Sequence, residues 1–527
     1  MSKVNENQRQ QALPWPSPTQ VMVVALVTFT VLYFASRLWI IEGDLAPYQL
    51  TNIQKLDAPY YVMAAFEWLH GKYEPGPISD SVSVIPNGLF YNAIVYLNLL
   101  ILGNDYYGFR FNVVVVSWMS AIIFSYLFYR RFGLSSLLVA LPTFLLAFPW
   151  FMASLEVEPT VYRIFHVALL CGMFAVLGLR RGGYDTLSAR FLVFLAAFFG
   201  PLFVYPTNLF VVFAVYAFYL IRGWQLRQVR YVAVTALISG GALLVSAAAW
   251  LAVTIFAFGN LSTVLNFFSL FTERVSSTDR TIWDDIFRKF IDIRIFGLFS
   301  ETPAVFYLYI VSLFAMVAAL ATALVKRQPT RSDPDLHFRV WFDLLMPLLS
   351  LALFFQTLFV NDYPLKKLTI LIPFVIAGAL YVFEFVKVPL PVCCAVFSIY
   401  MVWPSAVLSY KYLYEGYTEN YKKAMVALRD IGAAGVAGGF SHSFRLYNSI
   451  QPYASAYVYM HVLHNMNDYH DILAGRIDGV RPKYSIQIEV DAKTIDAMRR
   501  LGFRLNRMLI ETSEQGVGSV ALFERVE

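Results

Sequence analysis

Between the first long apolar run and the next lies a polar, acid-bearing stretch, residues 42–108. Its cluster Leu56-Asp57-Ala58-Pro59-Tyr60-Tyr61 continues through Ala64, Ala65, Trp68 and Leu69 to Lys72 and Tyr73. A carboxylate beside aromatic rings, just outside an apolar bundle, suits chemistry on a molecule that is part lipid and part polar. Transfer of a group to a hydroxyl needs a base for the acceptor's proton. A phosphate that leaves as an anion needs positive partners more than it needs an acid. Asp57 is the candidate base. Aspartate ahead of Pro59 is also a good helix start, and the two roles are compatible.

Three further constellations carry possible chemistry. Glu156 and Glu158 stand two apart in the turn Ser154-Leu155-Glu156-Val157-Glu158-Pro159. In an extended segment both side chains face one way, and such an oxygen pair suits a hard divalent cation, magnesium or manganese; an ordinary solvated acidic loop is the alternative. Lys366 and Lys367 open an apolar run on the side where the charge rule disfavours cations, so phosphate binding gives them a reason. Snorkelling lysines at a helix end are the competing explanation. Arg163 and His166 share a helical face near a span's end and are binding candidates, although a lone histidine there is more often a packing residue. Asp44 is a weaker spare, read as surface.

These residues need a membrane scaffold. Of the 527 residues 58% are apolar and 14% charged, with a mean hydropathy of +0.57, too oily for a soluble chain of this length. Spans are readable at 20–41, 109–129, 134–154, 161–179, 190–205, 207–221, 231–258, 303–325, 340–360, 366–385 and 389–409, and the first is about long enough to cross the hydrocarbon core. The N-terminal tail, 1–19, lacks the pattern of a cleaved signal, so the first span is expected to stay. Arg130 and Arg131, Arg180 and Arg181, Arg222, Arg227 and Arg230, and Lys326, Arg327 and Arg331 fall at alternate connections, as cytoplasmic loops require.

That parity gives about eleven crossings, an inner N-terminus and an outer C-terminal domain, provided 87–102 is interfacial or re-entrant; the expected range is about 11–13. The loop 260–302 opposes the charge rule, but its acids alternate with its cations, so an amphipathic surface segment is expected; 272–294 is a candidate cover for the cavity. The net charge of +6 sits mostly in short loops and does not indicate nucleic-acid binding. Three cysteines, all in apolar runs, give neither a disulfide framework nor zinc spacing.

After residue 410 the composition changes, and 411–527 reads as a small soluble α/β domain. Strands are expected at 454–460, 484–490 and 517–523, and helices at 420–431 and 492–501. Gly432, Gly435, Gly438 and Gly439 punctuate its start, and no nucleotide-binding glycine pattern is present.

The order of these features resembles the GT-C glycosyltransferases, membrane enzymes that take a sugar from a polyprenyl phosphate or diphosphate. The resemblance rests on Asp57 with Tyr60, Tyr61, Ala64, Ala65, Trp68, Leu69, Gly71 and Tyr73, then on the connection 103–110 and the turn Tyr129-Arg130-Arg131-Phe132-Gly133. It extends to the acidic turn at Glu156 and Glu158 and to Tyr363-Pro364-Leu365-Lys366-Lys367. The chain departs from the pattern in having Glu-Val-Glu where an aspartate pair is common, and in lacking a lysine-proline-proline run.

The resemblance implies a GT-C-like bundle over 20–410 in an integral protein of a bacterial inner membrane, with site and C-terminal domain extracytoplasmic. It implies a polyprenyl-phosphate-linked sugar donor, a glycan, lipid or protein acceptor, inversion at the sugar, Asp57 as base, Tyr60 and Tyr61 against substrate, and Lys366 or Lys367 on the carrier phosphate. A lipid-linked-oligosaccharide flippase or transporter, and a non-catalytic subunit of the same fold, are the rival expectations; a transporter would place its ionisable groups near midplane on broken helices.

Overall fold

The computed structural model describes residues 17–41, 65, 86–103, 106–146, 172, 186–203, 209–258, 303–325, 334–359, 365–386, 389–399, 436–438, 460–461, 474, 483–488, 490–510 and 519–526. The chain is a polytopic helical protein followed by a small sheet. The described helices are α1 (Pro18–Ile40), α2 (Pro86–Leu102), α3 (Tyr106–Phe132), α4 (Leu137–Leu146), α5 (Leu187–Phe203), α6 (Leu209–Gln225), α7 (Val229–Phe258), α8 (Pro303–Val325), α9 (Pro334–Phe359), α10 (Leu365–Val386) and α11 (Leu390–Phe397). α2 falls on 87–102, expected as an interfacial or re-entrant segment, and the other helices fall on expected spans; the expected span 161–179 lies outside the described residues apart from Gly172. Pro18–Ile40, Arg110–Phe132 and Val229–Val253 are long and apolar enough to cross a membrane on length and composition alone.

Local chemistry sets the helix limits. Ser17 caps α1: its Oγ accepts from Gln20 N at 3.3 Å while Gln20 Oε1 accepts from Ser17 N at 2.7 Å, so the helix starts two residues earlier than hydropathy suggests. Gly133, with φ +84°, ends α3 in a conformation that glycine adopts without strain, and its N–H donates to Tyr129 O at 2.8 Å. Gly103, φ +97°, turns α2 into α3, and a Cβ at Gly108 would collide with Gly103 O and Leu99, so this hairpin requires the small residue.

The core is one apolar cluster running through the bundle, with Tyr33, Phe128, Tyr219, Trp341 and Leu380 buried in it. Outside it, α1 and α7 expose rows of Val and Leu, among them Val27, Val31, Leu237 and Leu244; that surface is stable against lipid tails and not against water. α8 and α10 meet at a small-residue contact: a Cβ on Gly378 would strike Ser312, whose Oγ donates to Val375 O at 3.3 Å. Without a hydrophobic force between helices in lipid, such close approach supplies the packing.

The helices share two ends. Arg131, near the C-terminus of α3, binds Asp343 of α9 and Glu384 near the C-terminus of α10, while Arg130 lies 4.2 Å over the Phe338 ring. The C-terminal part of α6 packs there too, with Phe218 and Tyr219 against Trp341, and Gln225 Nε2 donates to Ala323 O of α8 at 3.0 Å. Arg190 ties the start of α5 to the start of α7 through Tyr231 and Thr235. Among the described residues, Arg130, Arg131, Arg190 and Arg222 thus lie at one end of the bundle. We call it the basic end.

The C-terminal region forms a five-stranded mixed sheet in the order β2-β1-β3-β5-β4, with β1 (Val436–Gly438), β2 (Met460–His461), β3 (Tyr484–Ile488), β4 (Phe503–Ile510) and β5 (Val520–Arg525). β1 pairs in parallel with β2 and β3, whereas β5 runs antiparallel to β3 and β4. One helix, α12 (Ala492–Arg500), packs on β4 through Met498 and Phe503. Gly438, expected as punctuation, is a strand residue. The expected helix 420–431, and the strand 454–460 up to residue 459, lie outside the described residues.

Candidate functional site

Three described helix termini, which lead along the sequence toward residues with the expected chemistry, lie at the end opposite the basic end. α3 and α10 run the same way, since their C-terminal residues Arg131 and Glu384 meet at 3.0 Å. Over 27 and 22 residues they rise roughly 40 and 33 Å, so both N-termini lie at the far end. There Arg110 of α3, 8% exposed, donates from Nη1 to Ile41 O at 2.6 Å, pinning the exit of α1. Arg37, 2% exposed and 4.5 Å over the Tyr33 ring, donates from Nη2 to Phe144 O at 3.2 Å, and from Nη1 to Ser36 Oγ at 3.0 Å. The second of these contacts organises the end of α1; the first binds it to the end of α4.

Three helix ends therefore lie at this end of the bundle. The exit of α1 at Ile41 leads to Asp57, the exit of α4 at Leu146 leads to Glu156 and Glu158, and the entry of α10 at Leu365 holds Lys366 and Lys367 in its first turn. The lysines are in helical backbone, as expected of residues opening a span. Asp57, Tyr60, Tyr61, Glu156, Glu158, Arg163 and His166 lie outside the described residues, as do Asp44 and the cover segment 272–294.

The buried arginines at this end were missed in the sequence. Arg37 sat inside a span and Arg110 beside a turn, and neither type nor spacing announced a helix-end clamp. A lone arginine one turn from the end of an apolar run is the signal that could have found them: desolvating a guanidinium requires acceptors, and unpaired helix-end carbonyls supply them. Asn112, 6% exposed, has neither amide group hydrogen-bonded and stands in the same part of α3.

The polar network at the basic end is of another kind. Arg131 Nε and Nη2 form a fork on Asp343 Oδ1 and Oδ2 at 2.7 and 3.1 Å, Nη2 also reaches Glu384 Oε2, and Tyr381 Oη donates to Asp343 Oδ1 at 2.6 Å. Every charge has a partner, so this is a structural tie among three helices. Among the described residues no group of three His, Cys, Asp or Glu gathers as a metal site. The expected magnesium or manganese ligands Glu156 and Glu158 lie outside them, and no step below is routed through a metal.

No family model matches the sequence, and no curated protein does. Among solved structures, the chain is similar to ArnT from Cupriavidus metallidurans bound to undecaprenyl phosphate, at 13% identity and a TM-score of 0.49, over 96% of this chain and 98% of that one. It is similar to the same protein in the apo state at 12% identity, with the same coverage and TM-score.

Proposed function

We propose that the chain is a membrane glycosyltransferase that moves a sugar from a polyprenyl phosphate or diphosphate to an acceptor hydroxyl, with inversion. The observation that carries this reading is the gathering of three helix ends, at Ile41, Leu146 and Leu365, on one end of the bundle. They are the ends from which the candidate base, the acidic pair and the candidate phosphate-binding lysines depart. ArnT's bound undecaprenyl phosphate belongs to the carrier class named here, but the reading rests on the helix ends.

In this mechanism Asp57 takes the acceptor proton as its oxygen attacks the anomeric carbon from the face opposite the phosphate. The bond from that carbon to the phosphate oxygen breaks, and the released phosphate's charge is met by Lys366 and Lys367. Tyr60 and Tyr61 offer ring faces and hydroxyls to the sugar, and Arg163 and His166 add polar contacts. A divalent cation held by Glu156 and Glu158 would supply further positive charge at the phosphate. The carrier tail lies between helices, and residues 411–527 guide the acceptor. The site faces outward from a bacterial inner membrane.

The test incubates the purified protein in lipid with radiolabelled polyprenyl phosphate sugars and a panel of acceptors, wild type beside Asp57→Asn. Transfer by the wild type, lowered about a hundred- to ten-thousand-fold in the variant, is expected. Equal transfer by both removes Asp57 as base. Carrier movement across the bilayer without transfer would make the protein a transporter instead.

A further inference from the structure

Not every buried arginine at the basic end is matched as Arg131 is. Arg222, in the last turn of α6, is 5% exposed, and neither its Nε nor its Nη1 has a hydrogen-bond partner. Gln225, one turn on, spends Nε2 on Ala323 O, while its Oε1 is also buried without a partner. Arg190 of α5, 4% exposed, lies 3.4 Å from the Tyr231 ring centre and 6.0 Å from that of Tyr219, which precedes Arg222 by one turn. Its Nη1 makes long bonds to Thr235 Oγ1, 3.4 Å, and Tyr231 O, 3.5 Å, and its Nε has no partner. α6 and α7 are held close here: a Cβ at Gly223 would meet Val232 Cγ2 at 2.7 Å.

A guanidinium does not shed its proton in a protein, so Arg222 cannot escape burial by becoming neutral. The C-terminal carbonyls of α6 favour a cation nearby, yet none of them accepts from Nε or Nη1. What Arg222 lacks is acceptors carrying negative charge in the fork geometry of an arginine edge, which a phosphate provides. The surroundings name its source. Trp224 is 69% exposed, Val229 85% and Val325 83%, all at the ends of α6, α7 and α8, so lipid covers this depth of the surface. Bilayers also concentrate acidic headgroups beside basic protein ends. We propose that Arg222, assisted by Arg190, binds the phosphate of an acidic phospholipid at the basic end, remote from the transfer site.

The experiment places the full chain in nanodiscs of phosphatidylcholine alone or with phosphatidylglycerol and follows thermal unfolding, wild type beside Arg222→Gln. Phosphatidylglycerol should raise the wild-type Tm and leave the variant's unmoved, because only a ligand of the folded state shifts it. In phosphatidylcholine the variant should be at least as stable as wild type, since it removes a charge that has no protein partner. Native mass spectrometry should find phosphatidylglycerol retained about ten-fold less by the variant. An equal fall of Arg222→Gln in both lipids would overturn the proposal in favour of a structural role. An unshifted wild type would overturn it outright. The same Tm rise from inorganic phosphate in phosphatidylcholine discs would reassign the anion to solvent.

Discussion

Both ends of the bundle bury arginines, but they discharge them differently. At the basic end Arg131 is forked onto Asp343 and also reaches Glu384, locking α3, α9 and α10 by their side chains. At the far end Arg37 and Arg110 reach main-chain carbonyls, Phe144 O and Ile41 O, at the places where the chain leaves the helices. A carboxylate-matched tie fixes helix against helix. A carbonyl-matched tie fixes the mouth of a loop. Along the sequence, those helix exits lead to Asp57 and to Glu156 and Glu158.

If that contrast is right, substitutions at the two ends fail in different ways. Arg131→Met should produce the largest loss of stability, roughly 3 kcal/mol, because Asp343 is left partly buried and unpaired. The half-exposed Glu384 arm should contribute under about 1 kcal/mol. A double-mutant cycle with Asp343→Leu, read by unfolding in detergent, isolates the pair, and activity per folded molecule should stay constant. Gly378→Leu should cost about 1–3 kcal/mol by forcing α8 from α10, whereas Gly378→Ala should be milder. At the far end Lys366→Gln with Lys367→Gln should leave the unfolding midpoint in place and raise KM for the carrier about ten-fold, checked by steady-state transfer assays.

The smallest effect lies in the C-terminal domain and involves neither end. Asp491 caps α12, and hydrogen bonds from Thr494 N at 2.7 Å and Oγ1 at 2.8 Å hold its carboxyl below the usual carboxylate range. A depressed folded pKa means that its stabilisation is full above the unfolded value, near 3.8, and is lost as pH falls through the folded one. Protection of amides 492–500, corrected for intrinsic exchange, should therefore drop in acid, and Asp491→Ala should abolish the drop.

The spans were legible because lipid demands long apolar runs, and the ends of α1, α8 and α10 follow that signal closely. Tertiary pairing was not legible: Asp343 and Glu384 lie 212 and 253 residues from Arg131, inside segments that read only as apolar. β4 was missed because irregularities between Leu505 and Arg507 and between Met508 and Ile510 break the two-residue period, so that Arg507 interrupts the alternation begun by Phe503 and Leu505. Arg222 read as a topology signal, since composition cannot reveal that its guanidinium turns inward.

On the proposed function, Asp57, Glu158 and Lys366 belong to one end of the bundle and Arg130 to the other. Single cysteines at these four positions, in a background lacking Cys171, Cys393 and Cys394, can be probed with a membrane-impermeant thiol reagent on intact cells and on inverted vesicles. Positions 57, 158 and 366 should label from one side and position 130 only from the opposite side. Labelling of 57 and 366 from opposite sides would contradict the account.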